Sequence, residues 1–352
     1  MLRRATIAAS LWLVPAMASA AELDTRNIEI DESGAHSAGV RLTLVPALQR
    51  EAQRLLVQAR APAGAIVMAD VKDGRLLVWA SRGSGVDLVL TPMFPPASLL
   101  KVVTAAALLE DGHVFRSTPL CYSGGMRDLE WQDVASLCRP GEARLPFGEA
   151  LGRSINVVFG RLAVAHLSPH RWIDAAQALG LAATPNIDVS APPSLVREPQ
   201  NPLGLARSAA GFVRDARVSP LSVMAMMHTI ANGGAQVKLQ LRDEGAVERV
   251  VVGRPLRSST ARALTHMLEV TTKHGTARHS FKGSGAVAGK TGTLGLGPRT
   301  LSWFAGFAPA HKPEVAIAVM LTNDPRWWRK AHELARELLD VARNVDVPLR
   351  PR

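Results

Sequence analysis

Ala65-Ile66-Val67-Met68 and Leu76-Leu77-Val78-Trp79 stand either side of Lys72-Asp73-Gly74-Arg75. Two short apolar runs around an Asp-Gly pair read as two antiparallel strands joined by a tight turn. Far along the chain, Trp303–Phe307 and Val315–Leu321 read as a second pair of strands. Between the two pairs the pattern is mostly helical. Ser98–Glu110 is rich in alanine and leucine, and residues 145–180, 219–232 and 258–272 carry helical spacing. Leu42–Arg60 is predicted as a helix before the first strand, and Trp328–Val341 as a closing amphipathic helix. Val250–Val252 reads as a short strand. Strands near both ends with helices between predict an α/β body of α+β type, an antiparallel sheet flanked by helices. An all-helical subdomain is inserted at about residues 95–280.

The 352 residues hold 47% hydrophobic and 20% charged side chains, enough apolar chain for a sizeable core. That excludes disorder as the main state, and two cysteines exclude a disulfide scaffold. The net charge is +11. Only eight of the 41 basic residues are lysine, and the arginines are not gathered on one helix or arm. This argues against a nucleic-acid partner.

Residues 1–20 read as an export signal. Arg3 and Arg4 form a positive start, Ala5–Met17 an apolar stretch, and Ala18-Ser19-Ala20 a cleavage site. The stretch is short for a membrane span, so cleavage is favoured over an anchor and the mature chain is expected to have no span. Its loss lowers the formal charge to about +9. Residues 21–40 are polar and aperiodic and are expected to be flexible, with the folded domain over 41–352. An exported chain meets oxidising conditions, so Cys121 and Cys138, with 16 residues between them, are expected to pair. Closing that loop would stabilise by about 3 kcal/mol in the chain-entropy model. No metal site is expected: the cysteines lack further ligands at zinc spacing, His332-Glu333 has arginine at 336, and the histidines are scattered.

Three short motifs carry chemistry. Ser98-Leu99-Leu100-Lys101 follows Phe94-Pro95-Pro96-Ala97. The prolines end an extended segment and place Ser98 in the first turn of a helix, with Lys101 one turn on along the same face. A serine hydroxyl needs an adjacent base, and a buried lysine supplies one when desolvation lowers its pKa. Alone, the pair equally fits an N-cap serine and a surface lysine. Ser154-Ile155-Asn156 offers a proton relay and an amide that both donates and accepts, although an ordinary N-cap accounts for it too. Lys290-Thr291-Gly292-Thr293 on an edge strand would set a cation and a hydroxyl beside a carboxylate. Gly292 would let a ligand backbone approach. The N–H groups of Thr293 and Ser98 would form an oxyanion hole. Gly289-Lys290-Thr291 is not a P-loop, since position 284 is serine and no helix pattern follows.

S-x-x-K, S-x-N and K-T-G, with starts 56 and then 136 residues apart, together resemble the penicillin-binding protein and serine β-lactamase superfamily. The likeness extends over about residues 60–325. It takes in Ser208-Ala209-Ala210-Gly211-Phe212, Ser219-Pro220-Leu221, Ala231-Asn232-Gly233-Gly234, Gly275-Thr276-Ala277 and Trp303-Phe304-Ala305-Gly306-Phe307. The resemblance implies a transpeptidase-type fold and a Ser98 acyl-enzyme formed on D-alanyl-D-alanine stems of peptidoglycan. Lys101 would be the base, Ser154 and Asn156 its assistants, and Lys290 and Thr291 the carboxylate holders. No cofactor is implied, and β-lactams would acylate Ser98. The chain would be a nearly bare transpeptidase domain, without a glycosyltransferase or pedestal domain. A β-lactamase is the first alternative, with Glu198 and Asn201 near the position of a deacylating base but one residue short in spacing. A non-catalytic sensor of peptidoglycan or β-lactams is the second.

Overall fold

The computed structural model describes residues 23–83, 85–124, 128–245, 248–325 and 329–345. The expected signal, residues 1–20, lies outside them, as does Trp328, the expected start of the last helix.

A three-stranded meander comes first: β1 (Glu29–Ile30), β2 (Ala35–Ser37) and β3 (Val40–Leu42). It falls largely within residues 21–40, the segment expected from sequence to be flexible. Ala35 and Leu42 are buried in the core, and Ser37 Oγ donates to Asp24 O at 2.6 Å. The Thr25 hydroxyl donates to the buried carboxylate of Asp87, which also accepts from Trp79 Nε1 at 2.7 Å. Strands of two or three residues are too short to show a period in the sequence.

Helix α1 (Pro46–Ala59) leads to β4 (Ala63–Asp70) and β5 (Leu76–Arg82), which pair antiparallel through the Asp73-Gly74 turn. The insertion begins with a 3-10 turn, Ala97–Leu99, and α2 (Leu100–Glu110). Next come β6 (Pro119–Tyr122), α3 (Trp131–Val134) and β7 (Ala143–Pro146). Helices α4 (Phe147–Gly152), α5 (Asn156–His166), α6 (Pro169–Ala178), α7 (Pro202–Ala210) and α8 (Pro220–Ala231) follow. After β8 (Gln236–Val237) and β9 (Val251–Gly253), α9 (Ser258–Lys273) returns the chain to the sheet. The insertion is thus helical but not all-helical, because β6 pairs with β7 and β8 with β9. Strands β10 (Ala288–Leu296), β11 (Arg299–Ala308) and β12 (Val315–Asn323) complete the sheet, and α10 (Ala331–Ala342) closes the described chain.

The main sheet is antiparallel throughout, in the order β10-β11-β12-β4-β5. Alternate residues feed two cores, as strand geometry requires. Ile66, Met68, Phe304, Ile317 and Val319 face α1 and α10. Ala65, Val67, Trp79, Trp303 and Met320 face the helical insertion. Both faces are covered, so the strands read as continuous apolar runs. Strand β10 lies at the edge of the sheet, with one side open towards the insertion.

Cys121 and Cys138 are bonded to each other, with their Cα atoms 5.1 Å apart. The bridge ties β6 to the segment after α3. Beside it, buried Arg161 forks onto Glu142, with Nη1 and Nη2 each donating at 2.7 Å. The guanidinium holds the Glu142 carboxyl down at about 2.

Candidate active site

The residues picked out by sequence converge from three separate elements. Pro95-Pro96 precedes the turn, and Pro95 O accepts from Trp303 Nε1 at 3.0 Å, which seats the turn on the sheet. Ala97 takes a left-handed φ of 50°. That conformation is rare for a residue with a side chain, and such strain gathers at functional sites. Gly211, itself at φ 94°, lies so close that a Cβ there would sit 2.4 Å from Ala97 O. The turn is therefore clasped from behind.

Ser98 is half-buried in this turn, and Lys101 is fully buried one helical turn on. Lys101 Nζ is 2.9 Å from Ser98 Oγ and 2.5 Å from Ala210 O. Among the described residues no carboxylate pairs with it. Burial first, and the charge of Lys290 second, push its pKa well below the ordinary lysine value.

Ser154 sits in the break between α4 and α5, again with a left-handed φ, here 60°. Its Oγ accepts from Lys290 Nζ at 3.0 Å. Asn156 is the first residue of α5 and is buried. Lys290 lies fully buried in β10, where it also donates to Thr291 O at 2.9 Å, and burial lowers its pKa to about 7. The Gly289-Lys290-Thr291 run is strand with no helix after it, which removes the P-loop reading on geometry as well.

A cleft of about 540 Å³ opens over these groups, lined in part by Ser98, Ser154, Asn156, Thr291 and Thr293. Lys101 and Lys290 lie beneath its wall rather than on it. A Cβ at Gly292 would meet Trp303 Cβ at 3.2 Å and Pro96 O at 3.3 Å, so its missing side chain also gives the serine turn room against β10. Sequence reading missed Thr276, whose hydroxyl is 2.5 Å from that of Thr291. It also missed Arg278, Lys330 and His332 on the cleft wall. Gly275-Thr276-Ala277 was a visible signal for the first two; nothing local marks the others. The disulfide stands outside the cleft. Glu198 and Asn201 do too: Glu198 lies 3.7 Å from His170 Nδ1, and Asn201 caps α7 by accepting from Gly204 N.

With this geometry in place, comparison with known proteins gives one answer. Residues 64–340 match the family model of the penicillin binding protein transpeptidase domain. The chain belongs to this family. It is 27% identical over 339 residues to the penicillin-binding protein PbpB of Mycolicibacterium smegmatis, covering 82% of this chain and 51% of that one. It is 27% identical over 254 residues to the peptidoglycan D,D-transpeptidase PbpA of Mycobacterium tuberculosis, covering 66% and 51%. The chain spans about half the length of these curated relatives. Among solved structures, the transpeptidase domain of Burkholderia pseudomallei penicillin-binding protein 3 superposes with a TM-score of 0.74 at 21% identity, covering 88% of this chain and 98% of that one. The imipenem acyl-enzyme of M. tuberculosis penicillin-binding protein A superposes with a TM-score of 0.71 at 21% identity, covering 86% and 79%. The fold is thus that of penicillin-binding transpeptidase domains. No helix among the described residues is long and apolar enough to cross a membrane.

Proposed function

We propose that this penicillin-binding domain is a serine D,D-acyltransferase acting on D-alanyl-D-alanine stems of peptidoglycan outside the cytoplasm. Ser98 Oγ attacks the carbonyl of the penultimate D-alanine as its proton passes to the amine of Lys101. The Ser98 and Thr293 N–H groups meet the developing oxyanion. On collapse, the leaving D-alanine takes a proton through Ser154, and an ester remains on Ser98. An acceptor amine then attacks the ester in transpeptidation, or water in carboxypeptidation, and Ser98 regains its proton. Asn156 grips the stem amide, while Thr291 and Thr293 hold the terminal carboxylate. Lys290 acts from below through Ser154. No cofactor enters these steps.

One observation carries the reading: the fully buried Lys101 amine, unpaired with any described carboxylate, 2.9 Å from Ser98 Oγ. A protonated lysine in that place would be costly, and a neutral one is the base that serine needs. The positions of Glu198 and Asn201 outside the cleft count against a class A β-lactamase.

The test is incubation of the mature protein with a fluorescent penicillin, followed by intact mass. The expected result is a long-lived adduct that Ser98→Ala abolishes. Rapid turnover of the drug would make the protein a lactamase. No adduct at all would overturn serine acylation.

A further inference from the structure

Away from the cleft, α9 and the turn between β11 and β12 bring three ligand-type side chains together. His266 and Glu269 are three residues apart on one face of α9, and His311 lies in that turn, at positions 309–314. Their ligand atoms all lie within 4.8 Å of one another. His311 Nε2 is 3.1 Å from Glu269 Oε2, and His266 Nδ1 is 3.7 Å from the same oxygen. We propose that His266, Glu269 and His311 form a zinc-class divalent metal site that clamps α9 to the β11–β12 turn.

The spacings suit an ion held among the three groups. A tetrahedral ion with bonds of about 2.0–2.1 Å separates its ligand atoms by about 3.4 Å, between the two spacings seen. At 3.7 Å, His266 is beyond hydrogen-bond reach of the oxygen it faces. Two imidazoles and a carboxylate are a donor set suited to zinc, with the fourth position left for water. The burial pattern matches. The Glu269 side chain is 5% exposed, whereas His266 and His311 are about half exposed, so the site opens to solvent on the histidine side. Lys273 lies 3.0 Å from the other carboxylate oxygen, Oε1, leaving Oε2 for the ion. None of the three residues lines the Ser98 cleft.

The position gives the ion a mechanical role. Thr272, at the end of α9, donates to Val287 O at 2.6 Å, and Thr276 just beyond meets Thr291. A metal at Glu269 fixes the same helix to the neighbouring β11–β12 turn as well. It would thereby set the seam along which the cleft is built.

The test uses the full, untagged chain, stripped with chelator and titrated with Zn²⁺, then with Co²⁺ as a spectroscopic probe. One retained zinc per chain is expected, with the intense visible bands of four-coordinate cobalt. Free zinc at a hundred times its dissociation constant should reduce the unfolded fraction about 100-fold, raising the unfolding midpoint. His311→Ala and His266→Ala, both at half-exposed positions, should each abolish these effects. Zinc retention equal in wild type and both variants, or absent from all, would overturn the site. Penicillin labelling of Ser98 in the stripped protein reports separately on the acyl-transfer reading.

Discussion

Replacing Lys290 by methionine should flatten the pH dependence of stability between pH 7 and pH 9. The side chain is fully buried in β10, and its pKa lies at about 7 against an ordinary 10.5. The unfolded chain therefore holds a proton at neutral pH that the native state half releases. Because the unfolded state binds more protons, native stability rises with pH from about 7 to about 10.5 and is level below that window. A pKa difference of about 3.5, at about 1.4 kcal/mol for each, makes the full penalty about 5 kcal/mol. About 4 kcal/mol of it applies at pH 7 and about 2 kcal/mol at pH 9, so wild type should gain about 2 kcal/mol across that step from this residue.

Lys101 contributes a slope of the same sign, but it is present in both proteins. Removing the Lys290 charge relieves one of the two causes that depress Lys101, so its share shrinks slightly in the variant and the contrast grows. The assay is chemical denaturation of wild type and Lys290→Met at pH 7 and pH 9. The readout is the difference of differences, which cancels packing effects of the substitution. Equal gains in the two proteins would mean that Lys290 keeps its charge throughout. The account of a near-neutral amine next to Ser154 would then fail.

Gly211→Ala places a Cβ 2.4 Å from Ala97 O at φ 94°. It should cost about 1–3 kcal/mol and slow penicillin acylation of Ser98 at least about tenfold, because the clasped turn must move; unchanged acylation kinetics would contradict this. Arg161→Met leaves the Glu142 carboxylate, 6% exposed, without its forked partner. The expected cost is about 3–5 kcal/mol in denaturant melts at pH 7. Arg161 holds Glu142 at about 2 against an ordinary 4.5, so the stability this pair gives wild type is lost as pH falls from about 4.5 towards 2, and the gap to the variant should narrow there.

Much of this molecule was legible because its signals are local. The Asp73-Gly74 turn between apolar runs specifies β4 and β5, and the three motifs name side chains whose chemistry is readable without coordinates. What escaped depends on contacts across the fold. Thr25, just before the meander of residues 29–42, is held by Asp87, 62 residues on, rather than by any local pattern. At Gly292 the missing side chain gives room to Pro96, far away in sequence, which only the folded sheet brings to it. His266, Glu269 and His311 fall on a helix and a far turn, so no spacing rule reaches them.

The use of lysine in an arginine-rich chain has a physical reading once burial is known. Arg161 and the two motif lysines are all essentially fully buried. Arginine cannot shed its proton, so burying it demands a counter-charge, and Arg161 has one in Glu142. Lys101 and Lys290 face hydroxyls and carbonyls instead, with no ion pair among the described residues. Such surroundings tolerate a neutral amine and penalise a cation. Arginine at either position would be charged at every pH the protein meets, with no partner to offset it and no lone pair to receive the Ser98 proton. The two sites require a cation that can be given up, and among the basic side chains long enough to reach Ser98 and Ser154 from their elements, lysine meets that requirement.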